Sequence, residues 1–74
     1  MALNPGEVSS ERLIEVVTNE GIGVSQVIDG GRIETVLRRG PHILPIRPYG
    51  SPPRYARRTV EAIVRTFNID IKKF

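Results

Sequence analysis

Residues 38–65, RRGPHILPIRPYGSPPRYARRTVEAIVR, decide how the rest of the chain is read. Gly40-Pro41 marks a turn, and His42 to Arg47 reads as a short apolar strand. Pro45 cannot donate to a ladder on one side, which places that strand at a sheet edge. Pro48 to Pro53 forms a rigid loop. Ser51 can cap a helix and Pro52 suits a first helical position, so the spacing predicts a helix from about Pro52 to Phe67. Ala56, Val60, Ile63 and Phe67, with Val64 beside them, form its apolar face. Arg54, Arg58, Glu61 and Arg65 lie on the opposite face, with Arg57 one turn from Glu61. Asn68 can take the left-handed stop.

Upstream, IGVSQVIDGGRIETVLRRG reads as a hairpin. Asp29-Gly30-Gly31 supplies a turn that tolerates positive φ. Ile33, Thr35 and Leu37 alternate with Arg32, Glu34 and Arg38, while Val36 falls on the polar side. Before it, residues 9–20 read as a helix. Ser9 or Ser10 caps it, Glu11 suits its first turn, Leu13, Ile14 and Val17 share a face, and Gly21 ends it. Residues 1–8 read as a flexible lead-in with an Asn4-Pro5-Gly6 turn. Residues 69–74 form a tail that either adds a short strand or covers the core. The expectation is a single small α+β domain over residues 9–68, ordered α-β-β-β-α. A three-stranded antiparallel sheet carries both helices on one face, because its other face is polar.

Seventy-four residues make one domain with a thin core. The chain has no cysteine, so neither a disulfide nor a thiolate metal site is available. The first residues lack the cationic start and apolar run of a signal peptide. No apolar run approaches the ~20 residues of a membrane span. A soluble, cytoplasmic protein without membrane contact is expected. The net charge of +3 hides an asymmetry. Residues 1–31 hold Arg12 against Glu7, Glu11, Glu15, Glu20 and Asp29, a balance of −4. Residues 32–74 hold ten cations against Glu34, Glu61 and Asp70, a balance of +7. Most of the cations are arginine, whose planar fork suits phosphate or carboxylate. The basic half implies an anionic partner: nucleic acid, an acidic protein, or the acidic half of a second copy in a homodimer.

Arg38, Arg39, Arg47, Arg54, Arg57 and Arg58 form the candidate nucleic-acid-binding set. Strand three beside the start of helix two would bring several of them together near free helix N–H groups, a phosphate-backbone grip. The other reading is a solvated or oligomer-facing surface with a Glu61 pair. His42 is the weak candidate for catalysis, since a lone histidine titrates near neutrality. It has no carboxylate or serine at a telling spacing, and a structural or solvent-facing role is the simpler reading. Tyr49 and Tyr55 flank the proline-rich loop. They stack on unpaired bases or, more simply, seal the loop against the core. Asp29-Gly30-Gly31 lacks the pattern of a phosphate-cradling loop, and a hairpin turn accounts for it. No metal-ligand set and no cofactor motif is present.

The stretch ILPIRPYGSPPRYARRTVEAIVRTFNID resembles the C-terminal half of HicA-type small toxins. Thr59, Val60, Ile63, Val64, Asn68 and Ile69 occupy the positions of that family's helix and stop. ERLIEVVTNEG resembles its first helix and glycine end. The resemblance covers about residues 9–70. It implies an α-β-β-β-α fold like a double-stranded-RNA-binding domain, mRNA as ligand, and a toxin–antitoxin setting. The family cleaves RNA with a histidine that follows a Gly-Ser pair, and the matching place here reads Gly30-Gly31-Arg32. Arg32 cannot act as a base at neutral pH, and His42 does not match. The expected function is therefore RNA or DNA binding, mainly to duplex backbone, without catalysis. The alternatives are a homodimeric protein-interaction or inhibitor module and a toxin-like endoribonuclease. A homodimer could form edge to edge through strand three, or by contact of acidic and basic halves.

Overall fold

Two glycine turns set the sheet. Gly30 and Gly31 both have positive φ, 58° and 79°, as the type I′ turn between Asp29 and Arg32 requires. Gly40 has φ 60° at the first central place of the Gly40-Pro41 turn, which suits type II′. The computed structural model describes residues 6–74, with β1 Val8–Ser9, α1 Ser10–Asn19, β2 Gly23–Asp29, β3 Arg32–Arg39, β4 His42–Ile46, β5 Arg54–Tyr55 and α2 Arg57–Phe67. A 3-10 turn, Ile71–Lys73, follows. The sheet order is β2-β3-β4, all antiparallel. This is the expected α+β domain with two helices on a three-stranded antiparallel sheet. Added to it is a small ladder in which Val8 pairs with Tyr55 and Ser9 with Arg54.

The Ser9 side chain accepts a hydrogen bond from the Arg12 N–H at 3.1 Å, which caps α1. At the other end Gly21 has φ 76°. The Ile22 N–H donates to the Val17 carbonyl at 3.0 Å, and the Gly21 N–H to Thr18 at 3.1 Å. That is a Schellman stop, and Ile22 is buried behind it. The helix buries Leu13, Val16 and Val17, and Ile14 is only half-buried.

Helix two departs from its expected start. It begins at Arg57, after Ala56 in extended conformation, and not near Pro52. Pro52 precedes Pro53, and a residue before proline is pushed out of the α region. Arg54 and Tyr55 are drawn instead into pairing with β1. Asn68 takes the left-handed stop with φ 55° and ψ 52°. The lead-in is also shorter than expected, because Val8 is buried and paired with Tyr55. The Asn4-Pro5 part of the expected turn lies outside the described residues. Beyond Asn68 the tail covers the core: Ile69 is buried and Phe74 packs against the cluster.

On β3, Thr35 and Leu37 face the helices, and Ile46 of β4 joins them. α1 lies over β2 and α2 over β4. Leu13, Val17, Leu37, Tyr55, Ile63 and Phe67 make the centre of the core. Thr35 is its buried polar residue among those described, and the Tyr55 hydroxyl donates to Thr35 Oγ1 at 3.0 Å. Tyr55→Phe should cost about 1–2 kcal/mol, since it strands a buried hydroxyl. Adding Thr35→Val should recover part of that loss. Urea midpoints of the wild type and the three variants test this, and purely additive losses would remove the bond from the stability account.

Candidate nucleic-acid interface

The candidate interface is built around the Arg47–Arg54 loop. Tyr49 and Arg54 close it, each N–H donating to the other's carbonyl at 2.9 Å. The Arg54 Cζ stands 5.1 Å from the Tyr49 ring centroid, within cation–π range. A Cβ at Gly50, whose φ is +81°, would lie 3.0 Å from that Cζ. Glycine is therefore what lets the guanidinium pass over the loop. The Arg54 side chain is 22% exposed, and its Nε lies 3.7 Å from Glu7 Oε1. Arg54 thus holds Tyr49 in place from inside, and Tyr49 itself remains 44% exposed.

Two cavities flank this loop and share Arg47, Pro48 and Tyr49. One, of about 500 Å³, opens toward the β2–β3 turn and is also lined by Gly31, Arg32, Ile33, Gly50 and Pro53. The other, of about 440 Å³, opens toward the start of α2 and adds Ala56, Arg58 and Thr59. Arg32 and Arg47 line the first cavity and Arg47 and Arg58 the second, with Tyr49 in both; the two cavities together are the groove. Arg47 Nε donates to Glu34 Oε2 at 3.0 Å. Arg32 and Arg58 are exposed and have no hydrogen bond or ion pair among the described residues. Ala56 at the N-cap of α2 has no side-chain group to cap it, and the first turn holds no acid. Its leading N–H groups add partial positive charge beside Arg58.

The other expected arginines are placed differently. Arg39 lies on the helix side of β3. Its Nη1 donates to the Glu20 carbonyl at 3.1 Å, and its Nη2 to the Phe67 carbonyl. Its Cζ stands 5.7 Å from the Phe67 ring centroid. One guanidinium thus ties the C-terminal ends of both helices together. Arg57 pairs with Glu61 at 3.7 Å, and its stem fills the space that a Cβ on Gly6 would occupy, 2.6 Å from Cδ. Arg38 is exposed on the open face of the sheet, opposite Ile43. His42 is exposed opposite Arg39, outside both cavities, and has no polar partner among the described residues. Of the tyrosines, Tyr55 is core and Tyr49 lines the groove.

Arg32 is the groove residue absent from the expected set. The Gly30-Gly31 turn contains the signal for it. Counted forward from that turn, Arg32 and Glu34 fall on one face, and Thr35 opposite Ile46 puts Glu34 beside Arg47. Among the described residues no group of three or more His, Cys, Asp or Glu could hold a metal ion. Among the same residues no helix is long and apolar enough to cross a membrane. Fold and groove define a small α+β domain with an arginine-lined cleft. Neither a protein-family model, nor a curated protein, nor a solved structure matches this chain.

Proposed function

We propose that the chain is a nucleic-acid-binding domain that grips the phosphate backbone of RNA or DNA along the Arg32–Arg47–Arg58 groove. The observation that carries this reading is that the two cavities share Arg47, Pro48 and Tyr49, while Arg32 and Arg58 on their far walls have no hydrogen bond or ion pair among the described residues. Three forks spread over two adjoining cavities suit successive phosphates better than one compact anion. The uncapped start of α2 favours negative charge at one end. Tyr49, held by Arg54, offers a ring to a sugar or base. Most such contacts position a backbone and carry little sequence information. The resemblance to HicA-type toxins makes RNA the first ligand to test, and a duplex the first form.

Fluorescence anisotropy with matched duplex RNA, duplex DNA and single strands tests the reading. Three phosphate contacts give a slope of about −2.7 in log K against log salt, so raising salt from about 50 to about 200 mM should weaken binding about 40-fold. Tightest binding to duplex RNA supports the reading in full. Absence of binding to every probe at about 50 mM salt, where three contacts still contribute strongly, overturns it.

A further inference from the structure

The sheet has two outer edges, and they are not alike. The type II′ turn at Gly40-Pro41 makes Arg39 and His42 a hydrogen-bonded pair, so His42, Leu44 and Ile46 point their backbone groups at β3. Ile43 and Pro45 then point outward on β4, and Pro45 has no N–H to offer. That edge is blocked, although β4 is the strand the sequence reading would pair with a partner. On β2 the type I′ turn makes Asp29 and Arg32 the hydrogen-bonded pair, followed inward by Val27 with Glu34 and Ser25 with Val36. Val24, Gln26 and Ile28 therefore turn both N–H and C=O outward. No residue from Gly23 to Ile28 is charged or proline, and none of the usual protections of an edge strand is present there. Ser25 to Ile28 are exposed, Val27 at 49% and Ile28 at 77%.

We infer that β2 is a self-association edge that pairs antiparallel with β2 of a second copy about a two-fold axis at Gln26. The outward set maps onto itself in that register: Gln26 meets Gln26, and Val24 meets Ile28 in both directions. Each outward N–H finds a carbonyl, as in any antiparallel ladder. On the helix side, the exposed Ile28 of one copy lies beside Val24 of the other, next to the Gln26 pair. On the open side, Val27 lies opposite Ser25. A shift by one residue would aim outward groups at the partner's inward-paired ones, so a single-residue slip is excluded. The occupant is a second copy because the outward set of Val24, Gln26 and Ile28 is self-complementary and uncharged, so no like charges meet within it although each chain carries +3 overall. One strand edge with a few apolar side chains is smaller than the about 1,200–2,000 Å² of a standard interface, so the dimer is weak and concentration-dependent. Arg32, Arg47 and Arg58 are not on β2, so the groove and this edge stand or fall separately.

Sedimentation velocity from about 10 μM to about 1 mM, a range suited to a small interface, should show a monomer–dimer equilibrium. The dimer should persist in high salt, because no ion pair holds it and screening reduces the repulsion between like-charged chains. A dimer formed by acidic and basic halves would dissociate instead. Gln26→Pro removes an outward N–H without touching the β2–β3 bonds, and Ile28→Lys places a charge at the pairing edge. Each should abolish the dimer while far-UV circular dichroism stays that of the folded monomer. The inference is overturned by a monomer at every concentration, by a dimer that salt dissociates, or by a dimer that survives both substitutions. Should Gln26→Pro disturb the hairpin, Ile28→Lys alone decides.

Discussion

Arg39→Ala is expected to lower the unfolding free energy by about 2–3 kcal/mol, a large effect for a half-buried charged side chain. The guanidinium donates to the last carbonyls of two helices, Glu20 of α1 and Phe67 of α2. A hydrogen bond to a charged group contributes about 1.5–3 kcal/mol, and a cation at a partly buried helix C-terminus up to about 2 kcal/mol. These overlap, and the freed carbonyls regain water, so the sum is an upper bound. The cation–π contact with Phe67 adds about 0.5–1 kcal/mol. A chain of this length has a total stability of only about 4–11 kcal/mol. The melting temperature should therefore fall by about 10–20 °C. Arg39→Lys keeps the charge but has no planar fork to reach both carbonyls, so it should restore only part of the loss. An unchanged urea midpoint for Arg39→Ala would mean that the two helix ends are not tied through this residue.

The same variant separates scaffold from interface. Because the Arg39 donors are spent on backbone carbonyls, nucleic-acid affinity of Arg39→Ala, measured well below its melting temperature, should match the wild type. Arg54 is a different case. It touches the groove through Tyr49, so its loss would act by releasing the ring, while the charge itself stays mostly covered.

The parts of the fold legible in the sequence were those written in local chemistry. Gly30-Gly31 called for a turn with positive φ, Ser9 or Ser10 for a cap, and Gly21 and Asn68 for left-handed stops; the turn is type I′, the cap is Ser9, and both stops are found there. The start of α2 was misread because Ser51-Pro52 looks like a cap with its first helical proline. The second proline cancels that reading locally, and the pairing of Tyr55 with Val8 cancels it again from far along the chain. The arginines were legible as charge but not as function. Alternation on β3 puts Arg39 with Leu37 on the helix side, yet only the meeting of two helix ends over it turns a cation into a latch. Arg32 was passed over for the opposite reason. It belongs to a hairpin end that reaches Arg47 only through strand register.

Replacing Arg32, Arg47 and Arg58 together with alanine is expected to reduce nucleic-acid affinity on the order of 10³-fold at about 50 mM salt, if each contact releases about 0.9 counterion. The salt slope should fall from about −2.7 to near zero, because each lost phosphate contact removes close to one unit. Slope and affinity must move together; a loss of affinity at constant slope would point to misfolding or to a lost apolar contact at Tyr49. Folding should survive. Arg32 and Arg58 are exposed without partners among the described residues, and the Arg47–Glu34 pair is exposed on the arginine side at 60%, which limits its worth to about 0–1 kcal/mol. A second triple variant, Arg38→Ala with Arg65→Ala and Lys72→Ala, removes the same formal charge from exposed positions outside the groove. If net charge alone draws in the nucleic acid, both triples lose affinity equally. If the groove is the footprint, the second keeps nearly the whole slope, because charges beyond a Debye length of about 10 Å contribute little at about 0.1 M salt.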